Sequence, residues 1–325
     1  MRQRLLLACV TFLAAAGVPL PGFAEFVPSQ TIDLVAHGGP GSGNDVMARR
    51  LATIIEQEKL TPVRVQVSNR AGGGSTTASS HLVNKKGDTH TISVFTVVWV
   101  VDPLTQEAAH IRLNDLTPIT RLVTEPALIV VRPDSPFKTL ADFINAAKEK
   151  PGKLRQSGGS ITSRDNVVRQ LLMKISGADW VYISFPGGGE RIAALLGGHV
   201  DMMMMDPSEA GDQVRAGKLR VLAQISEQRL EGFKDIPTVV EAGYKIPDVP
   251  QTRGIVGPPD MPADAVAYYE KLFERLRKTE SWKKFLVENL LEEVNENSAA
   301  TRAFLTTYEA QLREILKEGG VKVVR

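Results

Sequence analysis

The chain has 325 residues, of which 43% are hydrophobic and 23% are charged, and it carries a formal net charge of +2. This composition is typical of a soluble globular protein with room for two domains. It excludes a disulfide framework, because the chain has one cysteine, Cys9. It gives no reason to expect binding to nucleic acid or to an anionic membrane surface, because basic residues are not in marked excess.

The first 24 residues are typical of a secretory signal peptide. A basic start with Arg2 and Arg4 precedes an apolar run, and small residues lead to a predicted cleavage site after Ala24. A membrane anchor is the alternative, but the apolar run is shorter than the roughly 20 residues that a span needs. Cleavage would remove Cys9 and two arginines, so Lys plus Arg falls from 39 to 37 and equals the 37 acids. We therefore predict an exported, formally neutral mature protein.

Apolar runs and amphipathic runs alternate from residue 31 onward. "TIDLVA" (31–36) predicts a strand, and a helix follows with Asn44 or Asp45 as its cap. "VRVQV" (63–67) predicts the next strand and "ISVFTVVWVV" (92–101) a third, buried one. The predicted helix after the first strand carries a buried stripe of Met47, Leu51, Ile54 and Ile55.

The pattern starts again near residue 124. "ALIVVRP" predicts a strand, and Thr139 predicts the start of a helix that ends before Pro151. Further strands are predicted at "WVYISF", "HVDMMMM" and "LRVLAQI", with helices at "VVRQLLMKI" and "ERIAALLGG". We interpret residues 235–262 as proline-punctuated connections, followed by two long packing helices, the second capped by Ser298. Two α/β units with parallel sheets, and a ligand cleft between them, fit this order.

Three glycine-rich turns each precede a predicted helix. They span His37–Asp45, Ser157–Ser163 and Pro186–Gly189. Glycine allows a close backbone approach, and helix-start N–H groups suit a carboxylate or phosphate. The alternative is that the glycines only make tight turns. We expect further ligand contacts from the hydroxyls of the second turn (Ser157, Ser160, Thr162 and Ser163), and from Thr96 and Asp206 at strand ends. We expect Asp45 to order its loop and not to bind the ligand directly.

The sequence lacks the motifs of nucleotide binding and catalysis. "GGPGSGND" has no lysine followed by Ser or Thr, as a P-loop requires, and it does not fit G-x-G-x-x-G. "GPGSG" has the wrong spacing for a nucleophile elbow, and the five histidines show no metal-ligand spacing. We therefore predict no enzyme activity, no metal and no cofactor.

Six segments give the chain a resemblance to a known family. They are "HGGPGSGNDVMARRLA", "VSNRAGGGSTTASSHL", "SFPGGGERIAALLGGHVDMMM", "VRAGKLRVLAQISEQR", "IPTVVEAGY" and "RGIVGPPDMP". In their order and spacing the chain resembles the periplasmic solute receptors of tripartite tricarboxylate transporters, also called Bug-type receptors. The resemblance covers essentially all of the mature chain.

The resemblance implies an α/β protein with the two-lobed type II periplasmic-binding-protein fold, a Venus flytrap. Lobe 1 would comprise residues 25–123 and 226–325, and lobe 2 residues 124–225. A small organic carboxylate would lie in the cleft and be delivered to a membrane permease. Family matches fall on Gly39–Asp45, Ser157–Asn166 and Pro186–Gly189, although the second loop is bulkier than is usual.

Turn chemistry and resemblance together give the predicted ligand site. Arg253 is expected either to neutralise a distal carboxylate of the ligand or to form an ion pair between the lobes. The predicted site residues are His37, Gly39, Gly41, Ser42, Gly43, Asn44, Asp45, Thr76, Thr96, Ser157, Gly159, Ser160, Thr162, Ser163, Gly187, Gly188, Gly189, Asp206 and Arg253.

The predicted function is that of a monomeric, non-enzymatic receptor for a small carboxylate such as a di- or tricarboxylate or an aromatic acid. Two alternatives stay open at this point. The receptor would report to a sensor kinase instead of a permease, or the chain would be an exported α/β hydrolase, for which no nucleophile–base pair is evident.

Overall fold

The computed structural model describes residues 26–226, 228–249 and 251–325, which form eleven strands and ten α-helices. The predicted signal peptide lies outside the described residues. The strands are β1 (Ile32–Ala36), β2 (Val65–Asn69), β3 (Thr91–Phe95), β4 (Thr117–Glu125), β5 (Ala127–Val131), β6 (Arg155–Gly158), β7 (Val181–Ser184), β8 (Met202–Met205), β9 (Arg220–Ile225), β10 (Gln251–Gly257) and β11 (Glu292–Glu296). The helices are α1 (Gly43–Gln57), α2 (Thr76–Val83), α3 (Val98–Thr105), α4 (Leu140–Glu149), α5 (Arg164–Ser176), α6 (Gly188–Leu196), α7 (Pro207–Arg215), α8 (Ala263–Arg277), α9 (Glu280–Glu288) and α10 (Ser298–Glu318).

The strands form two mixed sheets, and each belongs to one lobe. The sheet of lobe 1 has the order β11-β4-β10-β3-β1-β2, and that of lobe 2 has the order β7-β6-β8-β5-β9. β1 runs parallel to β2 and β3, and β6 runs parallel to β7 and β8. The prediction of purely parallel sheets is wrong, because β10 and β5 each run antiparallel to both of their neighbours.

The chain crosses between the lobes twice, once through a single residue and once through a longer segment. β4 ends at Glu125 and β5 begins at Ala127, so one residue, Pro126, separates the two sheets. The return runs from the end of β9 at Ile225 to the start of β10 at Gln251. The residues that follow β1 and β3 in lobe 1 and β6 and β8 in lobe 2 line one cavity, so the carboxyl ends of these strands face each other.

Two apolar segments adopt structures that the sequence pattern did not predict. The run predicted as a strand to Val101 ends as a strand at Phe95, and α3 begins at Val98. Because the run is buried on all sides, its periodicity could not separate strand from helix. The supposed connection around Arg253 contains β10, whose residues are all buried between β3 and β4. β4, β6, α7, α9 and β11 were also not predicted.

Of the three predicted helix starts, Thr139 is confirmed as the cap of α4, and the other two caps are displaced. Ser42, not Asn44 or Asp45, caps α1, and its side chain accepts a hydrogen bond from the Asp45 N–H. Asn297, not Ser298, caps α10. Asn44 instead braces the turn, since its side-chain amide donates to the Val94 carbonyl at 2.9 Å and its oxygen accepts from the His37 N–H at 2.9 Å.

The predicted buried stripe of α1 is confirmed, and α10 packs on β4 and α3. The stripe of α1 is buried, as are Tyr269, Leu272, Phe273 and Leu276 of α8. α10 also reaches lobe 2, because Lys174 Nζ of α5 donates to the Glu318 carbonyl at 2.5 Å. Within the described residues, no helix combines the length and apolar character that a membrane crossing requires.

The cap of α4 gives a test of the lobe 2 fold. Thr139 Oγ1 accepts from the Asp142 N–H at 3.1 Å, and Asp142 Oδ2 accepts from the Thr139 N–H at 2.9 Å. Thr139→Ala removes the first bond, and we expect it to lower the free energy of unfolding by about 1 kcal/mol. Thr139→Ser, the control, keeps the hydroxyl. Urea titrations that give the two variants equal stability would contradict this role.

Candidate functional site

A cavity of about 320 Å³ lies between the lobes, and helix starts from both lobes open onto it. Residues at the start of α1 line it from lobe 1, and residues at the starts of α5, α6 and α7 line it from lobe 2. The predicted site residues that line the cavity are His37, Ser42, Gly43, Asn44, Thr96, Gly159, Ser160, Ser163, Gly187, Gly188, Asp206 and Arg253.

The other predicted site residues do not line this cavity; they are Gly39, Gly41, Asp45, Thr76, Ser157, Thr162 and Gly189. Several cavity residues were absent from the predicted set, namely Gly72, Gly73, Gly74, Val98, Arg164, Asp165, Ser184, Phe185, Arg191, Glu209 and Gln251. Four of these residues are charged, namely Arg164, Asp165, Arg191 and Glu209, so the cavity wall carries more charged side chains than the sequence predicted.

Asp45 holds the first glycine turn in shape, as expected. Its carboxylate accepts from the Gly41 N–H at 2.9 Å, from Arg49 Nε at 3.0 Å and from Asn69 Nδ2 at 2.9 Å. Burial favours the neutral acid, but these hydrogen bonds outweigh it and hold the pKa of Asp45 below its ordinary value. Asp45 is therefore an ionised brace behind the turn and not a wall of the cavity.

The glycines of the first and third turns let the two lobes approach backbone to backbone. The Gly39 N–H donates to the Pro186 carbonyl at 2.9 Å. A Cβ on Gly39 would lie 2.7 Å from that same oxygen, and one on Gly187 would lie 2.9 Å from the Pro40 carbonyl. A Cβ on Gly188 would overlap the Gly41 carbonyl oxygen. These turns therefore form the closing contact of the lobes as well as one side of the cavity.

Asp102 and Thr162 form a second tie between the lobes. Asp102 is fully buried, and its carboxylate accepts from the Ser75 N–H at 2.5 Å and from the Ser75 hydroxyl at 2.6 Å, beside the start of α2. The Thr162 hydroxyl of lobe 2 donates to the other oxygen of Asp102. Burial raises the pKa of Asp102, and the hydrogen bonds from Ser75 and Thr162 oppose that rise. The Thr162 hydroxyl, predicted as a ligand contact, therefore donates its hydrogen bond to Asp102 of the protein.

Arg253 pairs with acids of the protein. Its Nε lies 2.5 Å from Glu125 Oε2, and its Nη2 lies 2.5 Å from Asp206 Oδ2 across the gap between the lobes. Asp206 also pairs with Arg164, whose Nη1 donates to the Glu125 carbonyl at 2.7 Å. Of the two roles expected for Arg253, the structure shows the interlobe ion pair.

Glu209 extends this set of charges to the start of α1. Its Oε1 accepts from the Gly43 N–H at 2.5 Å, and its Oε2 lies 3.2 Å from Arg191 Nη1. Arg191 Nη2 lies 2.9 Å from Asp165 Oδ2, and Asp165 in turn accepts from the Gly159 N–H at 3.1 Å. The Asp206 N–H donates to Glu209 Oε2 at 3.5 Å and so links these two groups of ion pairs. We call the seven residues the cleft ion cluster: Arg164, Arg191, Arg253, Glu125, Asp165, Asp206 and Glu209.

Burial shifts three acids of the cleft ion cluster, Glu125, Asp165 and Glu209, toward their neutral forms. Burial raises the pKa of Glu125 to about 7 against the opposing charge of Arg253. Burial also raises the pKa values of Glu209 and Asp165, which Arg191 opposes in both cases. Within the described part of the chain, no group of three or more His, Cys, Asp or Glu residues is placed to hold a metal ion.

Two buried hydroxyls near the cleft have no hydrogen-bond partner among the described residues. Thr96 lines the cavity and is 2% exposed, and its Oγ1 is one of these two atoms. Ser157 Oγ is buried in β6 and does not line the cavity. Buried hydroxyls normally have partners, so Thr96 is the one of these two that a molecule in the cavity would satisfy.

His37 is neutral in the folded protein. Its Nδ1 accepts a hydrogen bond from Trp99 Nε1 at 3.0 Å, which requires an unprotonated nitrogen. Burial, and then the charge of Arg253, lower the pKa of His37 to about 3. His37 is therefore an uncharged wall of the cavity near neutral pH.

Gly188 gives a test of lobe closure, with its neighbour as the matched control. Gly188→Ala places a methyl group against the Gly41 carbonyl, and we expect it to destabilise the closed form by about 1–3 kcal/mol. At Gly189 a Cβ would meet nothing within 4 Å, so Gly189→Ala should leave closure unchanged. Small-angle X-ray scattering should show a larger radius of gyration only for Gly188→Ala. Identical curves for both variants would contradict the closing role of the turn.

His37 predicts a pH dependence of stability. Its folded pKa of about 3 lies below its ordinary value of 6.5, so its stabilising contribution is complete above pH 6.5 and is lost as the pH falls toward 3. His37→Gln keeps an acceptor for Trp99 and removes the titration. The wild-type free energy of unfolding should fall relative to that of the variant by up to about 2 kcal/mol between pH 6.5 and 5. A constant difference in denaturant titrations would contradict the buried neutral state.

Comparisons with known proteins place the chain in a family. The model of the "Tripartite tricarboxylate transporter family receptor" matches residues 47–321. BugT of Bordetella pertussis is 30% identical over 244 residues, which are 74% of each chain. The structure of the periplasmic binding protein BugD has a TM-score of 0.85 at 22% identity, covering 91% of this chain and 99% of BugD.

A further structure, Rpa4515 of R. palustris with adipate, has a TM-score of 0.84 at 20% identity, covering 90% of this chain and 98% of the other. The structural matches confirm the predicted two-lobed periplasmic-binding-protein fold. The family model covers most of the chain, and its members are receptors and not enzymes. The chain therefore belongs to the receptor family of the tripartite tricarboxylate transporters.

Proposed function

We propose that this protein is a periplasmic solute receptor that binds a small organic carboxylate between its lobes and delivers it to the permease of a tripartite transporter. The observation that carries the proposal is the interlobe cavity, onto which helix starts of both lobes open. The relative solved with adipate supports a carboxylic acid as the ligand. Export would follow removal of the predicted signal peptide, and the receptor would act as a monomer without nucleic acid.

The expected lobe boundaries give the mechanism its moving parts. Residues 25–123 and 226–325 would move as lobe 1 and residues 124–225 as lobe 2, about the two crossings, except that Thr124 and Glu125 stay with β4 in the sheet of lobe 1. A ligand that touches both lobes binds only the closed form well, so it shifts the population toward closure. The closed form would then present the surface that the permease recognises.

Thr96 is the hydroxyl that we expect to donate to the ligand. It lies after β3, at the carboxyl end of a strand, where open α/β sheets bind their ligands. Its Oγ1 has no hydrogen-bond partner within the part of the chain that the structure describes, and a carboxylate oxygen would satisfy it. The glycine turns around it leave room for the ligand to approach the backbone.

A thermal-shift panel tests the proposed function. At 100 times its Kd, a bound acid should stabilise the protein by roughly 2.7 kcal/mol. The panel would contain mono-, di- and tricarboxylates, aromatic acids and amino acids, with neutral sugars as controls. Stabilisation by sugars and by no carboxylate would contradict the proposal.

The same panel locates the ligand. Thr96→Val removes the cavity hydroxyl without changing the side chain's shape, and we expect it to weaken the best acid roughly tenfold. Ser157→Ala removes the other unpartnered buried hydroxyl, which does not line the cavity, and should leave the affinity unchanged. Equal losses in both variants would place the ligand elsewhere.

A further inference from the structure

A carboxylate of the protein already occupies the start of α1, which lobe 1 presents to the cleft. The start of α1 directs the Gly43 N–H into the cleft, and Glu209 from α7 of lobe 2 accepts it at 2.5 Å. The Glu209 side chain is 4% exposed, so this contact is buried between the lobes. The Gly41 N–H of the same turn donates to Asp45, so two N–H groups of this turn are held by acids of the chain.

The surroundings of Glu209 are those that a ligand carboxylate would need. One oxygen has a helix-start N–H, and the other has the guanidinium of Arg191 at 3.2 Å. Helix-start donors and arginine are the groups that proteins use to bind carboxylates and phosphates. An acid of the ligand that approached Gly43 and Arg191 would have to displace Glu209.

No arginine of the cleft ion cluster is free to pair with a second ligand carboxylate. It contains three arginines and four acids, and every arginine pairs with at least one acid. Another carboxylate in the same buried space would add repulsion and would lose its own hydration. One ligand carboxylate can still use the partner-free hydroxyl of Thr96 and the glycine turns.

We propose that Glu209 is a specificity-determining residue: it fills one of two anion positions in the cleft, so that the receptor selects acids with one carboxylate over di- and tricarboxylates. The inference rests on the proposed function and narrows its ligand class. It distinguishes this chain from the relative that was solved with adipate, a dicarboxylate.

Matched pairs of acids test the selection. Isothermal titration calorimetry at pH 7.5 would compare hexanoate with adipate and benzoate with terephthalate, since each pair differs by one carboxylate. The wild type should bind the monocarboxylate of each pair at least tenfold more tightly. Glu209→Ala vacates the position and leaves Arg191 to a second carboxylate, so the preference should fall at least tenfold or reverse. Glu209→Gln removes the charge alone and should cause a smaller change in the same direction.

Glu125→Gln is the charge control. It removes an acid from the cleft ion cluster, but Glu125 contacts Arg253 and Ser208 and does not line the cavity. The Glu125→Gln protein should keep the wild-type preference for the monocarboxylate of each pair. An equal change in Glu125→Gln would assign the selection to total charge and overturn the role of the occupied position.

The remaining outcomes separate the two proposals. If the wild type prefers the dicarboxylates, the inference is overturned whether or not the variants fold, while carboxylate binding stands. An unchanged preference in folded Glu209→Ala and Glu209→Gln also overturns it. Failure of the wild type to bind any acid would overturn the proposed function itself.

Discussion

The closed cleft depends on the contact of bare backbone between the first and third glycine turns. Gly39 donates across the gap to Pro186, and Gly188 has no room for a Cβ against the Gly41 carbonyl. Because the turns meet without side chains, the starts of α1 and α6 come close enough for their N–H groups to face one small space. The cavity exists at this size only while that contact holds.

The cleft ion cluster determines which closed arrangement of the lobes forms more than it adds to the free energy of closure. Burying charged side chains costs hydration that ion pairing returns only where the geometry is good, so such clusters are weak evidence for net stability. Arg253 and Glu209 each contact the opposite lobe, which means that one relative position of the lobes satisfies both. Any other closed arrangement would leave a buried charge unpaired. The cluster therefore favours one closed geometry over other compact ones.

The sequence predicted the parts of the site that depend on local chain chemistry. A glycine run between the apolar β1 and the amphipathic α1 predicts a turn that exposes helix N–H groups, and Ser42 and Gly43 line the cavity. β10 was missed because prolines precede and follow it closely, so that a buried strand resembles a proline-punctuated connection. Glu209 was missed although "DPSE" carries a helix-start signal, with Asp206 as cap and Glu209 as the third helical residue. Which distant charges pair with Arg253 or with Gly43 depends on how the lobes meet, and no local pattern contains that information.

The position of Glu209 also bears on how a receptor of this kind distinguishes its ligand-free and ligand-bound forms. A ligand shifts the lobes toward closure only by the difference in its affinity for the two states. In the closed form the carboxylate of Glu209 already accepts the N–H at the start of α1, so a ligand gains little affinity there. Its preference for the closed form over the open form must then come from other contacts. Thr96 in lobe 1 and the second glycine turn in lobe 2 are among the polar groups that line the cavity and can serve that purpose. Selectivity would then come from the body of the acid and from one carboxylate, with the charge at α1 supplied by the receptor.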